Sequence, residues 1–154
     1  MGCTPQLRHS YRRDRISAIS GVSVSPRRHR LGLYVQLHRH NITGTEVVGF
    51  LRHLLRHLRG PVVLLWDGGK IHRRSDVTAF IRRQRRLQAY PFPGYAPELN
   101  PDELVWTKAK QDLANSTPHD VEQLHAQLRR SLRRLQRSQR LLWSCIHGSE
   151  LPWR

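Results

Sequence analysis

The chain is 154 residues long, the size of a single domain, and 38% of its residues are apolar, enough for a modest core. Its 27 lysines and arginines outweigh 11 acidic residues, a formal charge of +16, and only Lys70, Lys108 and Lys110 are lysines. Such a field attracts polyanions, and an arginine fork pairs bidentately with phosphate, so nucleic acid is the expected partner, with a basic but merely solvated surface as the competing reading.

Residues 1–14 are polar and basic and read as a loop, with no apolar h-region of a signal peptide. Gln6 stands where a myristoylation signal needs Ser or Thr. Residues 15–24 alternate, with Ile16, Ala18 and Val22 separated by small residues, and predict a strand. A basic turn leads to a second strand over 31–37, its hairpin partner. Residues 45–58 carry Val47, Phe50, Leu51, Leu54, Leu55 and Leu58 at helical spacing, with Thr43 or Thr45 as N-cap and Gly60 as C-cap. The run PVVLLW over 61–66 predicts a central strand buried on both faces, ending at Asp67.

A helix is expected over 75–86 and a short strand over 87–92. After a proline-rich loop, Asn100-Pro101 marks another helix start, because Asn caps well and Pro is favoured at the first helical position. A last helix is predicted from Thr117-Pro118 to about Leu135, followed by a tail containing Trp143, Leu151 and Trp153. The order of strands and helices points to a layered α/β sheet. Cys3 and Cys145 define neither a disulfide framework nor a zinc cluster, and no apolar run approaches the ~20 residues of a membrane span, so a cytoplasmic setting is expected.

Two carboxylates stand out. Asp67 closes the most apolar strand, where sites collect in open α/β sheets, and Gly68 and Gly69 leave room for a substrate or ion. A turn-stabilising Asp is the bland alternative. Glu103 is the third residue after the Asn100 cap, and there it equally suits the helix dipole. Together they suggest metal chemistry: paired carboxylates hold two Mg²⁺ or Mn²⁺ ions about 4 Å apart in DNA-cutting enzymes.

From Val62 to Lys110 the sequence resembles the mariner-like DDE transposases of bacterial insertion sequences. The resemblance rests on Leu64-Leu65-Trp66-Asp67-Gly68-Gly69-Lys70-Ile71-His72 and on Pro93-Gly94-Tyr95-Ala96-Pro97-Glu98-Leu99-Asn100-Pro101-Asp102-Glu103-Leu104-Val105-Trp106. The separation fits too, since 103 − 67 = 36 leaves 35 residues between the carboxylates. It extends more weakly over residues 2–24 and 45–58. The resemblance implies an RNase H-like fold, a mixed sheet flanked by helices, and a single catalytic domain over 1–154. It implies that Asp67 and Glu103 are catalytic and metal-binding, in a two-metal site. Lys108, Lys110, Arg129, Arg130, Arg133 and Arg134 are candidate DNA contacts.

The family's first Asp lies on a strand upstream of the segment matched by Gly2-Cys3-Thr4-Pro5. That strand, that Asp and the helix-turn-helix region that reads transposon ends are therefore expected to be missing, leaving a sheet edge unpaired at the core. Asp14 is the one candidate substitute. The expectation is a fragment that is inactive alone, with its third carboxylate supplied by an upstream-encoded half. The alternative is a decayed remnant that binds DNA through charge; self-association as a homodimer stays open. His72 is expected to shape the turn, and Trp106 and Tyr95 to pack.

Overall fold

A computed structural model describes residues 6–8, 15–94 and 96–153. Cys3, Asp14 and Tyr95 lie outside them. Alternating apolar residues make β2 (Arg15–Ser25) and β3 (Arg30–His38) a long antiparallel hairpin, in register from Ser17↔His38 to Ser25↔Arg30. Residues 6–8, read from sequence as part of a loop, instead form a short strand β1 (Gln6–Arg8) paired antiparallel to the start of β2. A second sheet joins β4 (Val62–Trp66) in parallel to β5 (Leu87–Pro91) through α2 (Ser75–Arg83). Among the described residues no ladder connects the two sheets.

The period of two along β2 sends its side chains into two cores. Ile16 and Ala18 pack with Leu31 and Leu33 of β3 against three helices, α3 (Pro101–Ala114), α4 (Val121–Gln136) and α5 (Gln139–Gly148). Ile19, on the opposite face, joins α1 (Gly44–His57) through Val47, Phe50, Leu51 and Leu54, together with Leu64 and Trp66 of β4. Helix α1 thus packs against both β2 and β4.

Several features differ from the sequence reading, beginning with α2, which ends at Arg83 rather than at 86. β4 is not buried on both faces: Leu64 and Trp66 lie under α1, whereas Val63 is 64% exposed. α1 ends at His57, with Leu58 rather than Gly60 as C-cap, and Gly60 takes a left-handed φ of 75° just beyond. The carbonyls orphaned at this end are taken by Arg86, whose guanidinium donates to Leu58 O (2.6 Å), Gly60 O (3.0 Å) and Leu55 O. α4 starts later than expected, at Val121, because Asp120 accepts the Gln123 N–H at 2.7 Å and caps it. The tail contains α5, capped by Ser138 and carrying Leu142, Cys145 and Ile146 into the core.

Glu46 stabilises the start of α1. Its Oε2 accepts from the Thr43 N–H at 2.7 Å and the Thr43 hydroxyl at 2.5 Å, and these bonds hold its pKa at about 2. Because the folded pKa is depressed, this contribution is complete above the ordinary value of 4.5 and fades as pH falls toward 2. Glu46→Gln should therefore lower the thermal midpoint at pH 7, and the difference from the parent should shrink between pH 4.5 and 2, as read by circular dichroism melts.

Candidate active site

Asp67 follows β4 directly, where the strand leaves the core. Its Oδ1 accepts the Gly69 N–H at 3.0 Å and lies 2.9 Å from His72 Nε2. The His72 ring stacks on Trp66, with centroids 4.2 Å apart and planes 20° apart. A 3-10 turn over Lys70–Arg73 carries His72 back toward the strand end. A Cβ at position 69 would lie 2.9 Å from Asp67 Oδ1, so a larger residue there would push the carboxylate out of this position. His72 therefore shapes the turn, as read from sequence, and it also orients the carboxylate.

Glu103 sits in the first turn of α3, partly exposed. Asn100 Oδ1 accepts the Asp102 N–H at 3.1 Å, and Asn100 O accepts the Glu103 N–H at 3.1 Å, so the predicted cap forms. The neighbouring Asp102 is fully buried. Ser20 Oγ donates to Asp102 Oδ2 at 2.6 Å and accepts from Trp106 Nε1 at 2.8 Å. Asp102 Oδ1 has no hydrogen-bond partner among the described residues. Burial raises the Asp102 pKa, and the Ser20 hydrogen bond opposes that rise only in part. The pairing of Ser20 with Asp102 spans 82 positions, and no local pattern announces it.

Among the described residues, no three His, Cys, Asp or Glu side chains converge to hold a metal ion. Asp67 and Glu103 offer the hard oxygen donors that Mg²⁺ and Mn²⁺ prefer. Of the expected DNA contacts, Lys108 is half-buried on α3 and Lys110 is exposed two turns after Glu103. Arg129, Arg130 and Arg133 lie exposed on α4 beside a basic hollow of about 750 Å³, whereas Arg134 is held by Asp112 at 2.7 Å.

The Ser20 network should be worth measuring against a neighbour on the same strand. Ser20→Ala leaves a buried carboxyl oxygen and an indole N–H unpaired, at a cost of about 1–3 kcal/mol per group. Ser17 Oγ, also buried, has no partner among the described residues, so Ser17→Ala should be neutral or stabilising. Urea unfolding of both variants checks the contrast; equal destabilisation would mean that the network does not anchor α3.

A family model described as DDE superfamily endonuclease matches residues 1–125. Among solved structures, the chain is similar to the catalytic domain of Mos1 mariner transposase, with a TM-score of 0.70 at 15% identity over 97% of this chain and 74% of that one. It is similar to the integrase catalytic core domain of HTLV-2 in complex with magnesium, with a TM-score of 0.53 at 9% identity over 94% and 91% of the two chains. A chain of the simian T-cell lymphotropic virus intasome gives 0.59 at 14% identity; 98% of this chain is covered, but only 54% of that one, so the chain spans about half its length. No curated protein sequence matches. At these identities the likeness concerns the fold, which is the RNase H-like fold of transposase and integrase catalytic domains.

Proposed function

The chain belongs to the DDE superfamily endonuclease family, and from that premise we propose that it carries the Asp67 and Glu103 part of a transposase active site. The parent activity on this reading is divalent-metal-dependent cleavage of DNA at transposon ends, followed by joining of the freed 3′-hydroxyl to target DNA. The observation that carries it is the pre-oriented Asp67, tied through Oδ1 to His72 and Gly69 at a strand end. Bound Mg²⁺ or Mn²⁺ would supply an activated oxygen nucleophile and charge stabilisation at the leaving oxygen. Within the chain, His72 and the Gly69 amide fix the Asp67 carboxylate, while the Asn100 cap and the buried Asp102 fix the helix turn that presents Glu103. This is catalysis by positioning and electrostatics.

The third carboxylate, on this proposal, comes from outside the 154 residues, from an upstream-encoded segment or a second chain. The test mixes the purified chain with the polypeptide encoded upstream of Met1, read in each frame, and follows nicking of plasmid DNA in Mg²⁺ or Mn²⁺. Cleavage that needs both parts, and that Asp67→Asn or Glu103→Gln abolishes, is the expected result. Cleavage by the chain alone that Asp14→Asn abolishes would instead make Asp14 the third ligand. Cleavage that survives both substitutions at 67 and 103 would sink the site.

A second reading, a DNA-binding remnant without chemistry, draws on the exposed arginines of α4. It requires sequence-independent duplex binding whose affinity drops steeply with salt, on the order of 10³-fold or more between 50 and 200 mM if about six phosphates are contacted. Anisotropy of a labelled random duplex reads this directly, and a salt-indifferent affinity would rule it out.

A further inference from the structure

The outer edge of β3 is treated differently along its length. Gln139 Nε2 donates to Leu31 O at 2.7 Å, Gln139 Oε1 accepts the Leu31 N–H at 2.9 Å, and Gln136 Nε2 donates to Leu33 O at 3.0 Å. Two glutamines from the helices thus imitate a neighbouring strand over the first part of the edge. In an antiparallel strand the backbone groups of alternate residues face the same side. Val35 and Leu37 therefore present their N–H and C=O outward, as Leu31 and Leu33 do, and among the described residues no strand pairs with them there.

A cavity of about 360 Å³ opens beside this stretch. Its floor is Val35, Leu37 and Leu132, and its wall is His125, Arg129 and Arg133. Both arginines are exposed and form no ion pair among the described residues. The nearby carboxylate of Glu122 is already taken by Arg39, through contacts of 2.5 and 2.7 Å. Burial lowers the His125 pKa first, and the charges of Arg39 and Arg129 lower it further, which fits a wall already crowded with positive charge.

We propose that this groove docks an extended acidic peptide, which adds to β3 as a strand beside Val35 and Leu37. Three features select that occupant. The open edge offers main-chain donors and acceptors that only another backbone can satisfy. The apolar floor takes one side chain of the incoming strand, and the arginines take an acidic side chain two positions on, on the same face. A duplex would engage the arginines but leave the edge and the floor unused. A second copy of the chain brings +16 of like charge. The surface lies on β3 and α4 and does not depend on the chemistry assigned to Asp67 and Glu103.

The test uses the full chain and a fluorescein-labelled peptide in which threonines alternate with leucine or glutamate, so that leucine and glutamate share one face. Anisotropy should show binding that weakens about tenfold or more when Arg129→Glu and Arg133→Glu are combined, since each places like charge against the peptide. Arg27→Glu with Arg28→Glu, the same charge change at the exposed hairpin tip, should leave binding nearly intact. N-methylating alternate peptide amides should abolish it, and hydrogen exchange at the Val35 and Leu37 amides should slow only with the unmodified peptide. The exchange measurement needs no variant and stands even if a substitution disturbs folding. Equal losses in both double variants, or equal binding of the N-methylated peptide, would reduce the groove to a general polyanion surface. Protection of these amides by random duplex DNA, or a dimer in sedimentation that buries them, would assign the edge to another occupant.

Discussion

Asp102 accepts the Ser20 hydroxyl proton at 2.6 Å in a fully buried setting, and the placement of α3 depends on that contact. Successive helical residues point about 100° apart, so turning Asp102 onto β2 swings Glu103 off that face and toward the surface. Trp106, one turn further on, lies on the same side as Asp102 and closes the network by donating to Ser20. The Asn100 cap fixes the first turn of the same helix. A buried acid with one unpartnered oxygen is costly. An apolar residue would serve stability at least as well, so the network is better understood as fixing where α3 begins and which way it faces.

The charge of the chain is distributed unevenly between structural and bare arginines. Arg86 closes the end of α1, Arg134 pairs with Asp112, and Arg39 pairs with Glu122. Arg129, Arg130 and Arg133 share one exposed flank of α4 and form no ion pair among the described residues. Like charges on one helix face repel and destabilise the compact state, so their spacing has no benefit to folding. An anionic partner turns that repulsion into attraction. The buried side of the same helix explains why the segment folds at all: Leu124, Leu128, Leu132 and Leu135 are buried at helical spacing.

Much of this architecture was legible in the sequence because periodicity survives a high arginine content. The β2–β3 hairpin, α1, β5 and α3 follow from apolar spacing and from caps such as Asn100-Pro101. The turn of Asp67 was legible from its glycines, and packing of Trp106 from its spacing. What escaped has identifiable causes. A strand's second face is buried only if something covers it, and the apolar letters of PVVLLW cannot report the exposure of Val63. α5 is short, and an arginine-rich approach masked its Leu142, Cys145 and Ile146 stripe. Asp120 is a better cap than Thr117, but a proline at 118 drew the expected start of α4 forward. The role of Asp102 depends on Ser20, far away in the chain, so only the folded arrangement reveals it.

The two carboxylates belong to different hydrophobic cores. Asp67 extends from β4, which packs under α1, whereas Glu103 rides on α3, which packs on the opposite face of β2. β2 takes part in both: Ile16, Ala18 and Ser20 face α3, and Ile19 faces α1. A slip of one residue in its pairing would exchange these sets, placing Ser20 under α1 and Ile19 against Asp102. The nine paired positions between β2 and β3 resist that slip, because every one of them would have to be remade. Placement of Glu103 relative to Asp67 is therefore set less by any contact at the carboxylates than by apolar packing on the two faces of one strand. On the proposed reading, the positioning that a two-metal reaction would demand is in this way delegated to the β2–β3 hairpin.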